Sequence, residues 1–286
     1  MKKTIYNKYD KNRISSLPQV LFGGRVVVVI SVAEAERAVD WLLSQDILGV
    51  DTETRPSFRR GSHYKVSLLQ VATREVCFLF RLNDIGVTPA VKRLLEDRTV
   101  PKVGLSWHDD IRSLKERADF QPGWFIDLQD IVGELGIKDL SLQKLYANLF
   151  GQKISKRERL SNWEADSLSP RQQGYAATDA WACIMLYEEI QRLKATHDYE
   201  LEIVPEPEVR KEDDGGDKPA DAEARPAAGE ASGKEGEEST AKPSRPAKTK
   251  RRKTTGKTVR KTAAKPRSRK KAGGLHENSN KTITEQ

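Results

Sequence analysis

Four carboxylates in this chain stand where apolar side chains would be expected, and together they could hold metal. The stretch "ILGVDTETRPSF" (47–58) drives an apolar run straight into Asp51 and Glu53, one residue apart. On a strand, side chains two apart project to the same face, and these acids share theirs with Ile47 and Gly49. Asp110 falls three residues after Trp107 and four before Leu114, the spacing of one helical stripe. Its neighbour Asp109 aligns instead with Arg112 and Ser113, on a solvent face. Asp179 lies four residues after Tyr175 and four before Cys183, with Leu186 a turn beyond.

An unpaired buried carboxylate is costly and several together repel, so such a set needs a counter-charge. Apart from His108 those stripes carry no cation, which leaves a divalent ion. Oxygen-only ligands suit Mg2+ or Mn2+ better than zinc. Carboxylates gathered around two such ions, about 3.5–4 Å apart, are the usual machinery of in-line phosphoryl displacement. A lone D-x-E at a strand end is common; the combination of acids is what points to a metal site.

The elements that would carry these residues are legible in outline. "RVVVVI" (25–30) predicts a strand and "AEAERAVDWLLSQ" (33–45) an amphipathic helix, with "ILGVDTE" the next strand. "YKVSLLQVAT" and "EVCFLFRL" form a predicted hairpin turning at Thr73-Arg74. A helix through "PAVKRLLED" precedes the strand "KVGLSW", a helix starting near Asp109, and the short strand "WFIDLQ". "SLQKLYANLF" reads as a helix closed by Gly151. The clearest helix begins at "SPRQQGYAATDAWACIMLYEEIQRL", where Ser169 is the N-cap, Pro170 occupies the first turn and Gln172 completes a capping box. Small residues at Ala176, Ala177 and Ala180 would let this helix press close against the sheet. The expectation is an α/β domain whose mixed sheet starts largely antiparallel; periodicity does not give the strand order.

The 286 residues carry a net charge of +8, unevenly spread. Residues 201–240 hold 5 basic and 13 acidic side chains, whereas residues 241–274 hold 15 Lys and Arg and no acid. From about residue 197 apolar residues are too scarce to offset the entropy of ordering, so this part reads as disordered. The two cysteines, Cys77 and Cys183, lie inside apolar runs and form no disulfide framework, and the four histidines are scattered. The basic N-terminus lacks an apolar stretch and no run is long enough to span a bilayer. These features predict a soluble protein of the cell interior, in the cytoplasm or beside nucleic acid in nucleoid or nucleus, with no membrane partner.

The motif set resembles the DEDD superfamily of 3′–5′ exonucleases, which have a ribonuclease H-like fold. Their first motif, D-x-E, matches "VDTET"; their second, an aspartate in a helix after a strand, matches "KVGLSWHDDIRSL"; their third, Y-x-x-x-D, matches "YAATDAW". Tyrosine in the third motif places the chain in the DEDDy branch, with ribonuclease D and Werner-type exonuclease domains. "SNWEADSLSPRQQGYAATDA" is especially similar to the Werner-type segment. The resemblance implies a ribonuclease H-like mixed sheet flanked by helices in an exonuclease domain (20–196), and composition and charge set off an N-terminal arm (1–19), an acidic linker (197–240) and a basic tail (241–286). The resemblance further implies that Asp51, Glu53 and Asp179 bind one of two divalent cations, Mg2+ or Mn2+. Asp51 would bridge to the second, Asp110 would support it, and Tyr175 would orient or help deprotonate the attacking water. Glu53 would also hold the terminal 3′ hydroxyl, and the product would be a nucleoside 5′-monophosphate. One departure is Ser106, where family members often carry Asn or His.

Two basic loops fit a nucleic-acid track. "RPSFRRGSHYK" (55–65) interleaves Arg55, Arg59, Arg60 and Lys65 with Phe58 and Tyr64, and "KISKRER" (153–159) offers Lys156 and Arg157 among four cations. Trp163 reads more readily as core than as a stacking platform. The basic tail is expected to bind nucleic acid backbone without sequence preference, through counterion release. A competing reading is a non-catalytic nucleic-acid-binding protein that acts through this tail; the presence of all four acids and the tyrosine argues against it.

Overall fold

The computed structural model describes residues 2–58 and 63–205. The chain opens with a short strand, β1 (Lys3–Tyr6), and one turn of helix, α1 (Lys11–Ile14). Valine-rich β2 (Arg25–Val29) leads into α2 (Val32–Leu42), which starts at a capping box between Ser31 and Glu34. The next three strands are β3 (Leu48–Glu53), β4 (Leu68–Ala72) and β5 (Val76–Arg81). Between the last two, the Thr73 hydroxyl accepts from the amides of Glu75 and Val76 and fixes the tight turn. Helices α3 (Leu82–Ile85) and α4 (Pro89–Glu96) precede β6 (Lys102–Gly104) and α5 (Trp107–Lys115). Then come β7 (Phe125–Asp127), α6 (Leu128–Val132) and α7 (Leu142–Phe150), which Gly151 ends in a left-handed conformation. The long α8 (Pro170–Thr196), with its capping box at Ser169 and Gln172, leads to β8 (Tyr199–Glu202).

Six strands form one mixed sheet in the order β2-β5-β4-β3-β6-β7. Only β4 runs antiparallel to its neighbours; β2 with β5, β3 with β6 and β6 with β7 are parallel pairs. The antiparallel start is therefore confined to β3, β4 and β5. Alternation divides the side chains between two layers. Leu48, Val50, Leu69, Val71, Phe78 and Phe80 pack with residues of α2, α4 and α5 on one face. On the other, Leu68, Ala72, Cys77 and Leu79 pack beneath α8, against Tyr175, Ala176, Ala177 and Ala180.

α8 packs directly against β3, and the missing side chain of Gly49 makes room for it. A Cβ at this position would sit 2.1 Å from the Ala180 carbonyl oxygen, a contact with backbone that cannot move without moving the helix. With hydrogen at Gly49 and methyl groups along α8, the helix that carries Tyr175 and Asp179 is seated directly over the strand that carries Asp51 and Glu53.

The folded body extends beyond the expected limits at both ends. β1 and β8 pair in parallel as a separate two-stranded sheet, with Ile5 opposite Leu201. Ile5, Tyr9 and Ile14 are buried, so residues 3–17 are no free arm, and residues 199–202 belong to the fold rather than to a linker. The remainder of the acidic and basic segments, 206–286, lies outside the described residues. Among the described residues, no helix is long and apolar enough to cross a membrane.

Candidate metal centre

β3 delivers its acids at its C-terminal end, beyond the point where apolar residues fill the space under α8. Asp51 and Glu53 project to the α8 face, because Asp51 pairs with Gln70 and Glu53 with Leu68 of β4, and Leu68 packs beneath that helix. Asp179 descends from α8 between Tyr175 and Cys183. One carboxylate oxygen from each of Asp51, Glu53 and Asp179 lies within 4.8 Å of the other two.

Asp110 comes from the opposite side of the strand. Thr52 points away from α8, as its partner Leu69 does, and its hydroxyl donates a hydrogen bond to the Asp110 carboxylate. α5 is aimed there by Asp127, whose buried carboxylate accepts from the amides of Ser106 (3.0 Å) and Trp107 (2.8 Å) at the helix start. Asp109 faces outward, its side chain 78% exposed and 3.7 Å from Arg112.

The electrostatics follow from burial and mutual repulsion. Burial, then Asp179 and Asp110, push Asp51 well above the usual carboxylate range. Burial, then Asp51 and Asp179, lift Glu53 to about 10, against the opposing influence of Arg159. Asp179 is raised by burial to about 7, although the Tyr175 hydroxyl and the Lys156 ammonium favour its ionised form. Asp110 is raised by burial to about 6, with the Thr52 hydrogen bond pulling the other way. Burial and the adjacent acids also hold Tyr175 far above its ordinary value, so its hydroxyl is a neutral donor. Four carboxylates that resist ionisation together are a site awaiting positive charge. Oδ1 of Asp179 is buried without a hydrogen-bond partner, and the donor set is all oxygen. The Asp51–Glu53–Asp179 triad can thus coordinate a hard divalent cation.

A cleft of about 370 Å³ opens onto the acids, bordered by Asp51, Ser106, Lys156, Arg159, Tyr175 and Asp179. The structure does not gather every basic residue of the two loops there. Lys156 reaches the cleft, whereas Arg157 borders a neighbouring cavity with Leu21 and Arg171. Arg55 pairs with Glu164 at 3.1 Å, stacks on Tyr64, and lines a different pocket with Phe58. Lys65 is exposed, and Arg59 and Arg60 lie outside the described residues. Trp163 is wholly buried and packs near Tyr175, as core. Thr52 and Asp127 hold Asp110 and the start of α5, and the motifs did not single them out. An aspartate that ends a strand and opens a helix is a recognisable cap signal. Thr52 carries no such mark.

A family model described as 3′–5′ exonuclease matches residues 26–194. The chain belongs to the 3′–5′ exonuclease family. Within it the acids and the tyrosine make this a DEDD-type domain of the ribonuclease H-like superfamily. Among its relatives is the mouse bifunctional 3′-5′ exonuclease/ATP-dependent helicase WRN, 29% identical over 191 residues. That match covers 63% of this chain and 14% of the mouse protein. An Arabidopsis thaliana 3′-5′ exonuclease is 30% identical over 208 residues, covering 66% of this chain and 72% of that one. The fold matches the EXO domain of Aedes aegypti Nibbler with a TM-score of 0.56, at 21% identity, covering 62% of this chain and 91% of that one. Escherichia coli RNase D matches with a TM-score of 0.53, at 19% identity, covering 60% of this chain and 47% of the other. At these identities the two structures speak for the fold.

Proposed function

We propose that this 3′–5′ exonuclease uses two divalent cations, Mg2+ or Mn2+, to release nucleoside 5′-monophosphates from the 3′ ends of DNA, RNA or both. The observation that carries the reading is the convergence of Asp51, Glu53 and Asp179 in one cleft, with Asp110 approaching the same strand end from its other side. The triad would hold one cation, and Asp51 with Asp110 the second. When bound, such cations polarise the phosphodiester and make a water molecule a competent nucleophile at neutral pH.

The chain's own residues then have distinct roles. Tyr175, neutral and anchored against Trp163, orients the attacking water through its hydroxyl. Lys156 and Arg159 border the cleft and supply positive charge for the phosphates of the bound strand. Glu53, ionised beside the triad's cation, would accept a hydrogen bond from the terminal 3′ hydroxyl through its second oxygen. The α8 wall excludes bulk water from one side of the reacting bond. One relative is named ribonuclease D, while others are named 3′–5′ exonuclease without a sugar, so both DNA and RNA are carried as substrates. The 15 basic residues of 241–274 would add phosphate contacts outside the site, felt as salt-dependent affinity for long strands.

Incubation with 3′- and 5′-labelled single-stranded and duplex DNA and RNA, in Mg2+, Mn2+ or EDTA, tests this directly. Mononucleotides released first from the 3′ label, and only with a divalent cation, are expected. Release from the 5′ label first, or equal release in EDTA, would overturn the proposal.

A further inference from the structure

Among the described residues, Gln70 is a buried polar side chain that the chemistry above leaves without a purpose. It sits in the middle of β4, fully buried, and neither its amide nitrogen nor its carbonyl oxygen has a hydrogen-bond partner. Leaving such groups unmet is unfavourable, a cost that an apolar side chain of the same length would avoid.

Its surroundings suggest what it is for. Gln70 lies between Leu68 and Ala72 on the face beneath α8, with Leu79 of β5 opposite on one side and Asp51 of β3 opposite on the other. Residues directly opposed across antiparallel strands carry Cβ atoms about 5 Å apart, so the longer glutamine arm starts within reach of the Asp51 carboxylate. Among the described residues, the group that favours the ionised Asp51 carboxylate is the neighbouring Thr52 backbone amide. Ligating carboxylates are ordinarily oriented by an outer hydrogen bond. An amide can supply that bond, because it donates an N–H without cancelling the negative charge that attracts the cation, as a lysine or arginine there would.

We infer that Gln70 is a positioning residue whose amide N–H, unmet among the described residues, turns to the Asp51 carboxylate and fixes its rotation when a cation binds. The inference rests on the reading of the Asp51–Glu53–Asp179 triad as a cation site. It explains why a polar side chain occupies a position that three apolar neighbours surround, and it predicts opposite signs for stability and for metal affinity.

The test is Mn2+ binding to the full-length protein, read by electron paramagnetic resonance without substrate, for wild type, Gln70→Met and Leu79→Met. Gln70→Met should bind Mn2+ about tenfold more weakly, while melting in EDTA at or above the wild-type temperature. Leu79→Met, on the same face but one strand further from the acids, should bind within about twofold of wild type. Equal affinity of Gln70→Met and wild type overturns the inference alone, as does equal weakening in both variants. Failure of the wild type to bind Mn2+ overturns the cation site and this inference with it. A readout independent of the variants' folding is the Gln70 side-chain amide resonance in 15N-labelled wild type. It should shift on Mg2+ addition, and a stationary resonance overturns the assignment.

Discussion

The two sides of β3 solve the problem of a buried carboxylate in different ways. On the α5 side, Asp110 is met by the Thr52 hydroxyl, and α5 is clamped by Asp127. On the α8 side, Asp51, Glu53 and Asp179 face one another, with an unmet oxygen on Asp179 and no ion-paired cation among the described residues. One side is partly met by a protein donor, which leaves Asp110 an oxygen for the second cation proposed above. The other keeps an unmet oxygen and can coordinate a divalent cation. The side built from protein groups keeps its acid near 6, while the crowded side drives Glu53 to about 10. The acids can thus be ranked by how far protein groups meet them, and the least met depend most on charge supplied from outside.

The largest effect should come from breaking the α8 side. Asp51→Ala or Asp179→Ala should reduce mononucleotide release by at least about a thousandfold, because each removes a ligand from the triad. The metal-free variants should remain folded and melt no lower than wild type in EDTA, since each also removes a repelling charge. Labelled-oligonucleotide assays paired with thermal melts check both halves. Near wild-type turnover in Mg2+ would mean that the triad is not the cation site.

On the α5 side the contrast is between adjacent residues. Asp110→Asn should lower turnover by about a hundredfold or more, while Asp109→Asn, whose side chain points to solvent, should change it by less than about twofold. Thr52→Val keeps the shape and removes the hydroxyl, so it should fall between the two. Initial rates at saturating substrate separate the three. Equal effects at 109 and 110 would undo the distinction between the helix faces.

The two sides should also separate by pH. The raised values of about 6 for Asp110, 7 for Asp179 and 10 for Glu53 mean that the folded chain binds these protons more tightly than the unfolded chain does. Stability from such groups is fully present below the unfolded carboxylate range and is lost as pH rises through the folded values. In EDTA the melting temperature should therefore fall between pH 5 and pH 9, and Asp179→Asn should flatten the fall. A divalent cation at a hundred times its Kd adds about 2.7 kcal/mol, or roughly 5–10 °C for a domain of this size, with most of the gain at the higher pH. A melting profile unaffected by Mg2+ at pH 9 would contradict the comparison.

Much of this arrangement was legible because it is local. The Ser169–Gln172 capping box, the turn at Thr73 and the shared face of Asp51 and Glu53 follow from spacing along a single element. The Asp109–Asp110 distinction came from helical periodicity alone. What escaped depended on distant partners. β1 is four residues long and pairs with β8, nearly two hundred residues away, so neither strand carries a local pattern. The loop 153–159 has no periodicity, so nothing told Lys156, which reaches the cleft, from Arg157, which does not. Thr52 and Gln70 are unremarkable in sequence because their meaning lies wholly in what stands across the strand.

The smallest expected effect sharpens how the α5 side is held. Ser106, the residue before α5, adopts φ 64° and ψ 39°, in the left-handed region, and makes no side-chain cap. Its conformation is imposed by Asp127, which draws the Ser106 and Trp107 amides together. A β-carbon in that region costs about 1–2 kcal/mol, and asparagine and histidine, the residues that similar family members often carry here, include the types most enriched at positive φ. Ser106→Asn should therefore stabilise the protein by about 0.5–1 kcal/mol, raising the melting temperature by roughly 1–4 °C, with turnover within about twofold of wild type. Ser106→Val, whose branched side chain tolerates this backbone least, should melt lower and lose activity together, as the start of α5 is forced open and Asp110 drifts from Thr52. If Asn and Val at this position behaved alike, the left-handed turn would not be what aims α5. The clamp on the α5 side would then have to be sought in the packing of Trp107 against Phe125, 4.8 Å apart.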